Sequence, residues 1–150
     1  ELWKGSVILQ HTHLFQKGLP VDAHDIRKAV FVDEQGFDGD AEFDSIDPDA
    51  YHVVLYLDGS PAGTGRVFPS DSPEMYTIGR VAVYPQYRKL HLGQEILALL
   101  EQKAKIFGAK RIGLSAQCQA RGFYEKCGYT ASGDIYLDEF CPHIHMEKVL

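Results

Sequence analysis

The residues best equipped for chemistry fall in a few short stretches. Arg88-Lys89-Leu90-His91-Leu92-Gly93 is a basic turn with a glycine at its far end, directly ahead of a helical pattern. A helix N-terminus exposes N–H groups without intrahelical partners, and the aligned peptide dipoles add positive charge there. Such a turn can cradle an anion, a pyrophosphate above all, and the glycine lets the backbone come close to it. A merely solvated turn remains open on these residues alone. The turn is not a Walker A loop, and it lacks G-x-G-x-x-G, so a dinucleotide fold is unsupported.

Cys141, His143 and His145 alternate, which would put them on one face of a strand. Pro142 disturbs that strand and no fourth ligand is marked, so the expectation is no metal. His11-x-His13 is a weaker pair still. Residues 33–49 are rich in Asp and Glu, but the spacing fails the calcium-loop pattern. Counted from Asp38, the sixth residue is Phe43 rather than Gly, and the twelfth is Asp49 rather than Glu. The segment reads as a solvated acidic loop. Arg66 and Arg80 lie on neighbouring predicted strands. They would either hold an acidic group of a substrate or pair with the acidic loop, and both readings stand at this point.

The elements that must position these groups follow from periodicity and turn chemistry. Val7–Leu9 is a short first strand. A helix beginning at Asp22 or Asp25 runs through Ile26, Ala29, Val30 and Val32. Tyr51–Leu57 and Ala62–Phe68 form a hairpin about Asp58-Gly59-Ser60-Pro61, and Met75–Val83 adds a third strand. A long helix follows from Leu92 to Phe107, its buried stripe marked by Leu97, Leu100, Ala104 and Phe107 and its end by Gly108. Arg111–Ser115 is a strand and Gly122–Lys126 a short helix ended by Gly128. Tyr129–Thr130, Ile135–Tyr136 and Ile144–Val149 close the chain. Antiparallel strands followed by one strand–helix–strand crossover predict an α/β (α+β) fold: a mixed, mostly antiparallel sheet with helices on both faces.

The composition fits one domain over residues 1–150, with 45% hydrophobic and 24% charged residues. A formal net charge of -6 argues against nucleic acid as a partner. No apolar run suits a membrane span and no secretory leader opens the chain. Three cysteines without C-x-x-C predict reduced thiols and a cytoplasmic location. The chain starts at Glu1, which leaves open that native residues precede it.

Two ordered motifs and two flanking stretches carry a family resemblance. Val81-Ala82-Val83-Tyr84-Pro85-Gln86-Tyr87-Arg88, continuing through Gly93, resembles motif A of the GNAT (GCN5-related) N-acetyltransferases, Q/R-x-x-G-x-G/A. Arg88 fits its first position and Gly93 its last, while His91 replaces the middle glycine. Gly122-Phe123-Tyr124-Glu125-Lys126-Cys127-Gly128-Tyr129 resembles motif B of the same family. "FVDEQGFDGDAEFDSID" and "FCPHIHMEK" are similar to the ElaA-like branch.

The resemblance implies acetyl-CoA (coenzyme A) as co-substrate and a small-molecule amine as acceptor. Val81, Ala82 and Val83 would pair with the pantetheine arm. The backbone amides of Arg88, Lys89, Leu90, His91, Leu92, Gly93 and Gln94 would hold the pyrophosphate. The strands Arg80–Val83 and Arg111–Ser115 would splay to admit the thioester, with a backbone N–H at the end of the first stabilising the oxyanion. Tyr124 would contact the CoA sulfur and protonate the leaving thiolate. His143 matches the base of glyphosate N-acetyltransferases, and an imidazole can take an amine proton near neutrality. Glu34, in the loop where acceptors bind, is an alternative base or acceptor ligand, as is a water chain. The family is compatible with a homodimer, although the sequence marks no interface. The competing reading is an acyl-CoA-binding module without turnover.

Overall fold

A computed structural model describes residues 8–150. One seven-stranded sheet runs through the described residues in the order β1-β2-β3-β4-β5-β7-β6. The strands are β1 (His11–Lys17), β2 (Tyr51–Leu57), β3 (Ser60–Pro69), β4 (Met75–Val83), β5 (Arg111–Gln117), β6 (Thr130–Asp138) and β7 (Cys141–Val149). All neighbours are antiparallel except β4 and β5, which the crossover helix makes parallel. This is the expected α/β architecture.

The helices are α1 (Val21–Arg27), α2 (Gly39–Glu42), α3 (Leu92–Ile106) and α4 (Arg121–Lys126). The core has two layers. Ile96, Leu97, Leu100 and Ala104 of α3 pack on Val53, Leu55, Val67, Ile112 and Met146. On the other face, Ala23, Ile26 and Val30 cover Val54 and Ala82. Helix α3 sits unusually close to β3, because a Cβ on Gly63 would lie 2.7 Å from Ile96 Cδ1 and one on Gly65 would lie 2.8 Å from Leu100 Cδ1. Glycines in this strand are therefore a packing requirement rather than a turn signal.

Several boundaries differ from the sequence reading. The first strand is His11–Lys17, not Val7–Leu9; Ile8 and Leu9 lie outside it, and Val7 lies outside the described residues. An edge strand needs only one packed face, and here that face is carried by Phe15 stacked on Tyr51 (5.2 Å). The first helix continues beyond Arg27 as a π-helical stretch, Lys28–Glu34. Its wider turn is marked by the Gln35 N–H donating to Val30 O at 3.1 Å, a five-residue step that periodicity cannot announce. Phe107 is not in the buried stripe of α3; it is part-exposed and stacks with Tyr51 and Tyr76 beyond the helix end. β6 is one strand with a bulge between Ser132 and Tyr136 where the sequence suggested two short pieces.

Candidate active site

Strands β4 and β5 pair only over Met75–Thr77 and Arg111–Gly113, then part. A bulge aids the parting. Thr64 faces Ala82 and Arg66 faces Gly79, so β4 carries one extra residue there, and Arg80 takes the left-handed φ of 54°. Beyond Thr77 the cleft-side edge of β4 has no strand partner. The resulting cleft has a volume of about 300 Å³ and is walled by Ile78–Val83 on one side and Leu114, Ser115 and Gln117 on the other. Val81, Ala82 and Val83 all line it, as expected.

At one end the cleft leads to the start of α3. The first intrahelical bond runs from Glu95 N–H to His91 O at 3.3 Å, leaving the Leu92, Gly93 and Gln94 N–H groups unclaimed by the helix. A shallow depression beside them is lined by Lys89, His91, Leu92, Gly93, Gln94 and Phe123. Leu90 does not line it and is exposed. His91, where the family motif has glycine, holds a left-handed φ of 60° without capping the helix through its side chain. Gly93 is closely packed, since a Cβ there would lie 3.0 Å from the Phe123 ring and the ring would have to give way.

Arg88 lines the same depression, but its side chain and Glu34 are engaged with each other. They hold each other in a two-pronged pair, with both Arg88 terminal nitrogens 2.7 Å from the Glu34 oxygens, while Arg88 Nε donates to Val83 O at 3.1 Å. The guanidinium is thus already occupied and acts as a strut between the β4 end and the end of the π-helical stretch. The Arg88 hydrogen bonds hold Glu34 below its ordinary pKa, and Glu34 does not line the cleft. A stabilised carboxylate bound this way is a poor base, so the structure argues against Glu34 in that role.

The acidic loop is not a solvated loop. Glu42 and Asp47 are buried and Asp44 is half-buried, and they form a network with three arginines. Arg27, 1% exposed, donates to Glu42 Oε2 (2.9 Å), Glu42 O (2.7 Å) and both Asp47 oxygens (2.7 and 3.1 Å). Arg66 donates to Asp44 (2.7 and 2.9 Å) and Asp47 (2.8 Å). Of the two readings for Arg66, pairing with the acidic loop is the one realised; the side chain is buried and away from the cleft. Arg80 bonds the Glu42 carbonyl (3.1 Å) and Asp44 (3.3 Å) but stays half-buried on the cleft wall. Burial would raise Asp44, yet the Arg66 hydrogen bonds and charge, with Arg80, bring it down to about 2. Burial prevails at Glu42 and pushes it up. Arg27 was missed by the sequence reading, although it stands four residues after Ala23 and one after Ile26, inside the apolar stripe of α1.

Tyr124 and His143 both face the cleft. Tyr124 packs edge-on against Phe123 and Tyr129 (5.1 and 5.9 Å), and burial, with Cys127 nearby, pushes its phenol up to about 12. It therefore stays protonated and able to donate at neutral pH. His143 is 6% exposed, and its Nδ1 lies 2.9 Å from Cys141 O. A carbonyl can only accept, so Nδ1 carries a proton, and in the neutral ring Nε2 is the nitrogen with the lone pair.

The far end of the cleft is bridged. Phe37 stacks on Phe140 (5.0 Å), Asp38 N–H donates to Glu139 Oε1 (3.0 Å), and Gln117 Nε2 donates to Gln35 Oε1 (2.8 Å). These contacts join the loop after the first helix to the β6–β7 turn and β5. The sequence did not announce these pairings, because each joins segments about 80 or more residues apart.

A parted sheet whose open strand edge leads to a helix N-terminus defines a class of fold shaped for an extended ligand with an anionic end. The chain belongs to the GNAT family of acetyltransferases: residues 20–129 match the model of the "Acetyltransferase (GNAT) family". The Bacillus subtilis protein "Uncharacterized N-acetyltransferase YjcF" is 35% identical over 128 residues, 85% of this chain and 90% of that one. Escherichia coli ElaA superposes with a TM-score of 0.79 at 26% identity, covering 94% of this chain and 99% of that one. A Pseudomonas aeruginosa acyl-CoA N-acyltransferase superposes at 0.78 with 27% identity, covering 95% and 100%. Among the described residues no helix is long and apolar enough to cross a membrane.

Proposed function

We propose that the protein is an acetyl-CoA-dependent N-acetyltransferase, one domain across residues 1–150, that acetylates a primary amine of a small molecule by direct attack. The observation that carries this reading is the pairing in one cleft of a phenol that stays protonated, Tyr124, with an imidazole whose Nε2 is free to accept, His143.

The open edge of β4 and the free N–H groups at the start of α3 fit the donor's amide arm and pyrophosphate respectively. The amine nitrogen attacks the thioester carbonyl, forming C–N and releasing the thiolate as C–S breaks. His143 Nε2 takes a proton from the amine, and Tyr124 gives one to the departing sulfur. Backbone N–H on the unpartnered edge of β4 is the source we assign for oxyanion stabilisation. The bridged far end supports a compact acceptor over a protein chain. Arg80, on the cleft wall, is the candidate acceptor ligand.

The test is free-thiol release from acetyl-CoA with a panel of amino acids, amino sugars, polyamines and short peptides. Release with one class is expected, and Tyr124→Phe should lower turnover about 10²-fold while CoA affinity by calorimetry stays unchanged. CoA binding without release across the panel would instead favour the binding module, the reading that His91 in place of the motif glycine keeps open.

A further inference from the structure

The bulge in β6 decides what stands opposite His143. Before it, Ser132 pairs with His145; after it, Tyr136 pairs with His143. With the register of Ser132 and His145 continued unbroken, residue 134 would face His143, and that residue is Asp134. Two additional residues on β6 therefore replace a carboxylate with an aromatic ring at the cross-strand position, without changing the face. A carboxylate there would favour a charged imidazolium; a phenol ring does not impose a charge.

The ring is fixed at both ends. It stacks on the His143 imidazole with centroids 6.1 Å apart and planes 27° from parallel. Its hydroxyl reaches over β7 to a short hydrogen bond with Ser115 Oγ on β5. The imidazole is thus held by Cys141 O at Nδ1 and by Tyr136 on its face, and only Nε2 is left for the cleft.

We infer that Tyr136, tethered by Ser115, is a positioning residue that holds His143 in the tautomer and ring plane needed to accept a proton at Nε2. This rests on the base role proposed for His143. Removing the ring lets the imidazole turn and lose the Cys141 bond, and misplacement of a reacting group by about 1 Å can cost up to ~10²-fold in rate.

The experiment uses the full chain with ¹⁵N-labelled histidine, reading the His143 ring nitrogens by NMR beside steady-state kinetics. The native protein is expected to show His143 protonated at Nδ1. Tyr136→Leu should mix the tautomers and lower kcat about tenfold or more with the acetyl-CoA KM unchanged. Tyr136→Phe keeps the stack and should retain the tautomer, with a loss of only about two- to threefold from the missing tether. Ser115→Ala cuts the same tether from the other strand and should match Tyr136→Phe, which guards against a folding defect in β6. An unchanged His143 signal in folded Tyr136→Leu overturns the inference whatever the rate does. Full turnover in His143→Ala overturns the base assignment itself, a separate outcome read from a separate variant.

Discussion

The two ends of the cleft are built from different materials. The end proposed for the donor uses main chain: the unpaired edge of β4 and the first N–H groups of α3. The other end uses side chains: Arg80 and Glu42 on the cleft wall, backed by Arg27, Arg66, Asp44 and Asp47 behind it, then a bridge of Phe37–Phe140 and Gln35–Gln117. Main-chain recognition needs only a strand, a turn and a glycine, so it survives wide change in the residues around it. A side-chain network depends on every member, because removing one leaves another charge buried and unpaired. On the proposed function, the donor would be read by the robust part, and the acceptor would be met by the part that a few substitutions can rebuild.

The largest effect that would separate the two ends is the loss of Arg66. Arg66→Met should destabilise the fold by about 3–5 kcal/mol by chemical denaturation, since Asp44 and Asp47 lose a buried partner. A cost under about 1 kcal/mol would sink the contrast. Acid should act next. Asp44 titrates at about 2 in the fold, below its ordinary value of 3.8, so its stabilisation is present above pH ~4 and lost as the pH falls toward ~2. With allowance for partial exposure, that loss is about 2 kcal/mol. Glu42, raised by burial, works the other way: its contribution is full below its ordinary value and declines as the pH rises through its folded pKa. Denaturation midpoints between pH 7 and 2 should show the Asp44 limb, and Arg66→Met should flatten it. The smallest effect belongs to the donor end. His91→Gly relieves a left-handed residue and should stabilise by no more than about 1 kcal/mol, since glycine also loosens the unfolded chain. CoA affinity should change by less than about threefold, and a larger loss would mean the His91 side chain itself binds the donor.

The same contrast governs what could be read from sequence. The basic turn ahead of α3 was read from its own residues, while the splayed strands and Tyr124 came from motifs that resemble the family's, all within a contiguous span. His143 was legible because its neighbours form a short motif. The fate of Arg88 and Glu34 was not, because a salt bridge between positions 54 residues apart leaves no local pattern. The acidic loop misled for a related reason: its charge looked like solubility until arginines from α1, β3 and β4 were folded onto it. Tyr136 escaped notice because a bulge, which periodicity does not announce, sets its register.

The close seat of α3 on Gly63 and Gly65 makes β3 the datum from which the donor cradle is measured. A methyl group at either position would meet a terminal methyl of Ile96 or Leu100 at under 3 Å, and these side chains or the helix that carries them would have to shift. Where the helix shifts, the N–H groups of Leu92, Gly93 and Gln94 move with it. Two residues outside the cleft thus bear on the height of the proposed anion site, and mutational scans confined to cleft-lining positions would not find them.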